Sequence, residues 1–124
     1  MNVPADLKYT KSHEWIRIDG DIATVGITDH AQSELGDIVY LDLPEAGRTL
    51  QQEESFGSVE SVKAVSEVYA PIAGVVVERN ETLNAQSDLV NSDPYGGGWL
   101  VKIQVSDASA LEGLLSAEDY QKEL

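Results

Sequence analysis

Cysteine is absent from all 124 residues, which excludes disulfides, thiolate metal sites and a cysteine nucleophile. Histidine is nearly as scarce, with only His13 and His30. Positive charge is also short, because 8 Lys+Arg face 22 Asp+Glu for a net charge of −14. So acidic a chain repels phosphate backbones and anionic lipid, which argues against nucleic-acid and membrane-surface partners. No apolar run approaches the roughly 20 residues of a membrane span. The first residues carry no apolar signal core or transit segment, so the expected location is cytoplasmic. What is present is a 42% hydrophobic complement, too large for a disordered acidic tail. The length suits one domain spanning 1–124, with a core over about 14–105 and a C-terminal helical extension over about 107–124.

Short β-branched runs dominate the pattern. Ile16, Ile18, Ile22, Thr24 and Val25 surround Asp19-Gly20-Asp21 and predict a hairpin. Thr28 caps a predicted helix from Asp29 to Leu35, closed by Gly36. Ile38 to Leu43 reads as a mostly buried strand that stops at Pro44. Beyond Phe56, valines recur at 59, 62, 65 and 68, a spacing of three that fits neither strand nor helix. A turn between Val62 and Val65 resolves it, because the alternation then changes phase between two strands. Val75 to Val77 and Trp99 to Val105 are further strands, with a loop over Asp93 to Gly98. Glu45, Thr49 and Leu50 are echoed by Glu78, Thr82 and Leu83, a hint of two similar sheet halves. Asp107 opens a helical turn, and Ser116 to Asp119 resembles a capping box for a last helix. The fold class is mainly β, a sandwich or barrel with a helical end.

The predicted turn places Lys63 at its tip, between valines that would anchor both strands. No glycine or proline lies there, so a tight bend without positive φ is expected. A lysine at a loop tip is ordinarily a solvated charge, and spacing alone favours that view. Glu60 and Glu67 would stabilise its ammonium and make it a weak nucleophile. If Lys63 acts, it acts after an enzyme has acylated it.

Glu60-Ser61-Val62-Lys63-Ala64 resembles the attachment motif of lipoyl domains, specifically the H proteins of the glycine cleavage system. The resemblance covers nearly the whole chain. Ser12-His13-Glu14-Trp15, Gly26 to Gln32 with Leu35-Gly36, Phe56 to Ala64, and Asn91 to Tyr95 with Gly98-Trp99 are similar to family motifs in the family's order. Biotin carriers have Met beside their lysine, where Val62 and Ala64 stand here.

The resemblance implies a flattened lipoyl-domain barrel or sandwich of two small antiparallel sheets, with a short internal helix and C-terminal helices. It implies a carrier that performs no chemistry alone, with lipoate in amide linkage to Lys63. A pyridoxal-phosphate glycine decarboxylase (P protein) would load the aminomethyl remnant of glycine. An aminomethyltransferase (T protein) would pass its carbon to tetrahydrofolate, and dihydrolipoyl dehydrogenase (L protein) would reoxidise the dithiol. A lipoate ligase or an octanoyl or lipoyl transferase would install the group. The lysine stem with its lipoyl chain reaches on the order of 10–15 Å. Ser12, Glu14 and Glu67 match family positions of a cleft that shelters the loaded arm, and Glu34 stands where some relatives have histidine. Each is equally an ordinary surface acid or hydroxyl among 22 acids.

Other signals point away from chemistry. Gly96-Gly97-Gly98 lacks the Lys-Ser/Thr of a phosphate loop. Asp29, His30 and Ser33 lack an oxyanion loop, and His13 beside Glu14 is a weak metal motif. Trp15 and Trp99 read as core or cleft wall. Two other readings fit the same lysine: a lipoyl-relay H-like protein donating lipoate to other complexes, and an unmodified acidic interaction domain.

Overall fold

The computed structural model describes residues 2–124. The chain opens with β1 (Lys8–Tyr9), β2 (Glu14–Asp19) and β3 (Ile22–Ile27), followed by the helix α1 (Asp29–Leu35). Then come β4 (Ile38–Asp42), β5 (Thr49–Leu50), β6 (Ser55–Ser61), β7 (Val65–Tyr69) and β8 (Gly74–Arg79). A 3-10 turn over Glu81–Asn84 and the short helix α2 (Leu89–Ser92) lead to β9 (Val101–Val105). A second 3-10 helix, Ala108–Gly113, precedes α3 (Ala117–Glu123). Among the described residues, no helix is long and apolar enough to cross a membrane.

All strand pairs are antiparallel. One sheet holds six strands in the order β1-β2-β3-β9-β8-β5, the other three in the order β4-β6-β7. Neither sheet closes on itself, so the architecture is a sandwich, not a barrel. The expected β2–β3 hairpin forms with Asp19 paired to Ile22. Its two-residue turn starts at Gly20, whose φ of 66° glycine adopts without strain. Thr28 caps α1 as expected, accepting from the Ala31 N–H, and Gly36 follows with φ 80°. Asp107 and Ser116 cap the two C-terminal helices, accepting from the Ser109 and Asp119 N–H groups.

Strand alternation decides where the cores lie. Trp15 and Ile16 are consecutive on β2 and both buried, yet they belong to different clusters. Ile16 joins Val25, Leu41, Val59, Val68, Ile103 and others between the two sheets. Trp15 faces the other way, against Leu7, Tyr9 and Tyr120 beneath the C-terminal segment. Gly26, paired with Trp15 across the hairpin, leaves room for the indole; a β-carbon there would lie 2.7 Å from the ring.

Four expectations need correction. The β4 segment is not mostly buried: it is an edge strand, and a register irregularity between Ile38 and Tyr40 leaves both Val39 and Tyr40 facing solvent. β9 starts at Val101, not Trp99. The unforeseen helix α2 precedes it, and Gly98 packs so closely on that helix that a β-carbon would meet the Leu89 carbonyl oxygen at 2.6 Å. The sequence echo does not mark equal halves, since Thr49–Leu50 form a strand and Thr82–Leu83 sit in a 3-10 turn. Leu50 and Leu83 are nevertheless both buried. Finally, Val62 and Val65 do not anchor the hairpin. They are 70% and 67% exposed, while Val59 and Val68 are 0% and 2%.

Candidate functional site

The phase change inferred from the valines is real. β6 and β7 pair antiparallel out to Glu60 and Val65, and Val62-Lys63-Ala64 form the bend with no positive φ. Buried Ser61 organises the bend. Its hydroxyl oxygen accepts from the N–H groups of Lys63 (3.3 Å) and Ala64 (3.0 Å), and its own N–H donates to the Ala64 carbonyl at 2.8 Å. A short polar side chain bonded to local backbone favours turns over strand continuation, so Ser61 ends β6 and stiffens the tip. The tip also rests on a neighbour, because the Val62 N–H donates to the Asp37 carbonyl oxygen at 3.0 Å.

Lys63 is exposed. Its stem passes over Gly36, where a β-carbon would lie 3.5 Å from Lys63 Cε. Among the described residues, no carboxylate forms an ion pair with its ammonium. The expected support from Glu60 and Glu67 is therefore not made. Glu67 instead accepts from the Ser55 hydroxyl at 2.8 Å. An unpaired amine on a fixed bend suits enzymatic acylation, because neither an ion pair nor a buried contact has to be broken first.

A cavity of about 520 Å³ opens where the β1–β2 connection meets the end of β7 and the tail. Thr10, Ser12, Glu14, Tyr69, Pro71 and Leu115 line it with others. Glu14 is only 2% exposed. Its Oε1 accepts from Thr10 Oγ1 (2.6 Å) and Ser12 Oγ (2.5 Å), and its Oε2 accepts from the Tyr69 N–H (3.2 Å). Burial pushes the Glu14 carboxyl above the usual range, and these hydrogen bonds oppose it. The cluster joins β2 of the larger sheet to β7 of the smaller and leaves an acidic, hydroxyl-rich wall.

The structure brings Ser12 and Glu14 together but not the other two expected cleft residues. Glu67 stands on the outer face of β7 between the tip and the cavity, outside its lining. Glu34 projects from α1 beside His30, 3.7 Å from its Nε2. The sequence reading missed Thr10 and Tyr69. Thr10 carried a signal, as a hydroxyl four residues before an acid that becomes buried. Tyr69 contributes a backbone N–H, which no side-chain pattern reveals.

The motif segments converge around this assembly. The Trp15 indole N–H donates to the Pro94 carbonyl (2.9 Å), and the Asp29 N–H donates to the Tyr95 hydroxyl (3.0 Å). Burial pushes that hydroxyl's pKa up to about 12. His13, held at φ 72°, places Nδ1 2.7 Å from the Tyr120 hydroxyl, which also bonds Thr28 Oγ1 at 2.7 Å. Burial, helped by the nearby His30, lowers the His13 pKa. Among the described residues, no cluster of His, Asp or Glu is arranged to hold a metal.

The family model described as "Glycine cleavage H-protein" matches residues 7–124. A glycine cleavage system H protein of Bacteroides thetaiotaomicron is 56% identical over 121 residues, covering 98% of this chain and 96% of that protein. One from Halothermothrix orenii is 56% identical over 124 residues, covering 100% and 97%. The crystal structure of a glycine cleavage system H protein from Mycobacterium marinum is similar at a TM-score of 0.86, with 41% identity, and covers 98% of this chain and 100% of that one. With its hairpin, its buried Glu14 and its converging motif segments, the chain belongs to the glycine cleavage H-protein family.

Proposed function

We propose that this chain is the lipoyl-bearing carrier of the glycine cleavage system, with Lys63 Nζ as the point of attachment. The observation that carries the reading is the unpaired amine of Lys63 on a bend held by Ser61 and Asp37, in a chain of this family. Lipoate in amide linkage to Lys63 would supply the redox-active disulfide that a carrier of the aminomethyl remnant of glycine needs. Cysteine-free, the chain has no sulfur chemistry of that kind of its own.

The remaining work falls to the chain's residues. Lys63 provides the acylable amine and a flexible stem. Ser61 keeps the bend closed so that the amine is presented in one direction. The outer face of β7, through Val65, Glu67 and Tyr69, leads over about 13 Å from the tip toward the cavity, a length comparable to a lipoyl-lysine. There Ser12 and Glu14 offer oxygen acceptors to an amine. Tethering raises the local concentration of a carried group to about millimolar. The partners are glycine decarboxylase, the aminomethyltransferase and dihydrolipoyl dehydrogenase, and the modifying enzyme is a lipoate ligase or an octanoyl transferase. A net charge of −14 steers the carrier to basic rims on them, and salt weakens that steering.

The test is a purified mixture of the system's enzymes with lipoylated chain. Glycine-dependent carbon dioxide release and methylenetetrahydrofolate formation are expected, together with a mass increase on the Lys63 peptide. Full activity from a Lys63→Arg chain would overturn the proposal.

A further inference from the structure

We infer that Asn91, on α2 and outside the hairpin, is a positioning residue for Lys63: its carboxamide fixes the backbone segment on which the hairpin tip rests. The inference rests on the reading of Lys63 as the attachment site.

The carboxamide brackets Asp37 from both sides. Asn91 Nδ2 donates to the Gly36 carbonyl oxygen at 2.9 Å, and Asn91 Oδ1 accepts from the Ile38 N–H at 2.9 Å. The second Nδ2 hydrogen goes to Gln32 Oε1, also at 2.9 Å. Between those two backbone groups lies Asp37, whose carbonyl oxygen accepts the Val62 N–H at 3.0 Å. Val62 adjoins Lys63. A chain of hydrogen bonds thus runs from α2 through the α1–β4 corner to the bend that carries the amine.

The chemistry demands this side chain. A backbone N–H can only donate and a carbonyl can only accept, so the two Asn91 partners require a donor and an acceptor on one planar group. Aspartate at neutral pH offers acceptors alone and would face the Gly36 carbonyl with negative charge. Alanine offers neither. The other bonds at the corner lie to either side of Asp37: the Gly36 N–H donates to the Gln32 carbonyl at 2.9 Å, and the Ser87 hydroxyl donates to the Ile38 carbonyl at 3.1 Å. Gly36 sits at φ 80°, a region where glycine is loose, and the Asp37 side chain is exposed. Neighbouring Val90 is buried in the core, while Asn91 is only partly buried, so its loss opens the corner more than the core. The Ser61 bonds within the bend would survive. The hairpin would stay closed but lose its rest, and the amine would be presented over a wider range of directions.

The experiment uses the full chain with Asn91→Ala and the near-isosteric Asn91→Asp, which keeps the acceptor and loses the donor. In unmodified protein, amide hydrogen exchange at Val62 and Ile38 is expected to accelerate by about five- to tenfold in Asn91→Ala, the equivalent of one net hydrogen bond. A smaller change is expected in Asn91→Asp, with exchange at Val25 and Ile103 unaltered in both. With a purified lipoate ligase, lipoate and ATP, KM for the protein should rise severalfold while kcat stays near wild type. Unchanged Val62 exchange, or equal acceleration in core strands, overturns the inference. So does a fall in kcat with constant KM. If wild-type chain accepts no lipoate, the reading of Lys63 fails instead, and the exchange data still judge the link from Asn91 to the tip.

Discussion

The two sheets use the same residue types for opposite ends. In the larger sheet, Ile16, Val101 and Ile103 pack against the second sheet, and Trp15 on the opposite face is covered by Tyr9, Tyr120 and Leu115, although Arg17 and Gln104 stay exposed. In the smaller sheet only one face is covered. Leu41, Val59 and Val68 point inward, whereas Tyr40, Glu60, Val65 and Glu67 form a bare outer face beside Lys63. Burying a valine stabilises by about 1.5–3 kcal/mol, and Val62 and Val65 forgo that. The rigidity of the bend therefore comes from hydrogen bonds through Ser61 and Asp37, not from apolar anchoring. The chain leaves the surroundings of its amine open and holds the amine in place by other means.

The contrast is tested most severely at Lys63. Lys63→Arg should abolish lipoylation and glycine-dependent activity while shifting stability by less than about 0.5 kcal/mol, as for other exposed sites; mass spectrometry and chemical denaturation check the two halves. The valines come next. Val59→Ala should cost about 2 kcal/mol by loss of burial plus a cavity, and Val65→Ala close to nothing in urea unfolding. Equal costs would erase the distinction between the two faces. Ser61→Ala removes the acceptor shared by two N–H groups and should cost about 1–2 kcal/mol, with a raised KM for the modifying enzyme.

The smallest effect concerns the covered face. The folded pKa of His13 lies below its usual value of 6.5, so the folded state binds fewer protons than the unfolded one. Its contribution to stability is complete above about pH 6.5 and lost as pH falls through the folded value. Glu14, raised by burial, acts with the opposite sign: its contribution is complete below 4.5 and declines as pH rises through its folded value. The groups around His13 are His30, Glu34, Tyr120 and Thr28. The decisive measurement is the difference between wild type and His13→Asn, since asparagine tolerates the φ of 72°. Lowering pH from 7.5 to 5.5 should destabilise wild type more than the variant, read by thermal unfolding.

Local signals reported their own surroundings faithfully. The Thr28 cap, the Gly36 stop, the Asp19–Ile22 turn and the break between Val62 and Val65 all depend on neighbours a few residues away. The family motifs marked the Lys63 hairpin and the Ser12–Glu14 corner. Glu34 and Glu67 lie outside the cavity, whose walls come from β1–β2, β7 and the tail, and chain position does not reveal which distant segments meet. The exposure of Val39 and Tyr40 was hidden for a related reason, since hydrophobicity does not distinguish an edge strand with a bare face from a central one.

By itself, the sequence determined the acidic charge, the absence of thiols, the turns and caps, and the place of Lys63 at the tip of a bend. Each follows from composition or from interactions within a few residues. Only the tertiary structure decided that Val62 and Val65 face water, that Trp15 and Ile16 serve separate clusters, that Glu14 is buried against the Tyr69 N–H, and that Asn91 supports the corner beneath the bend. These arise from which surfaces are covered by segments distant in the chain, and that covering is a property of the assembled sheets.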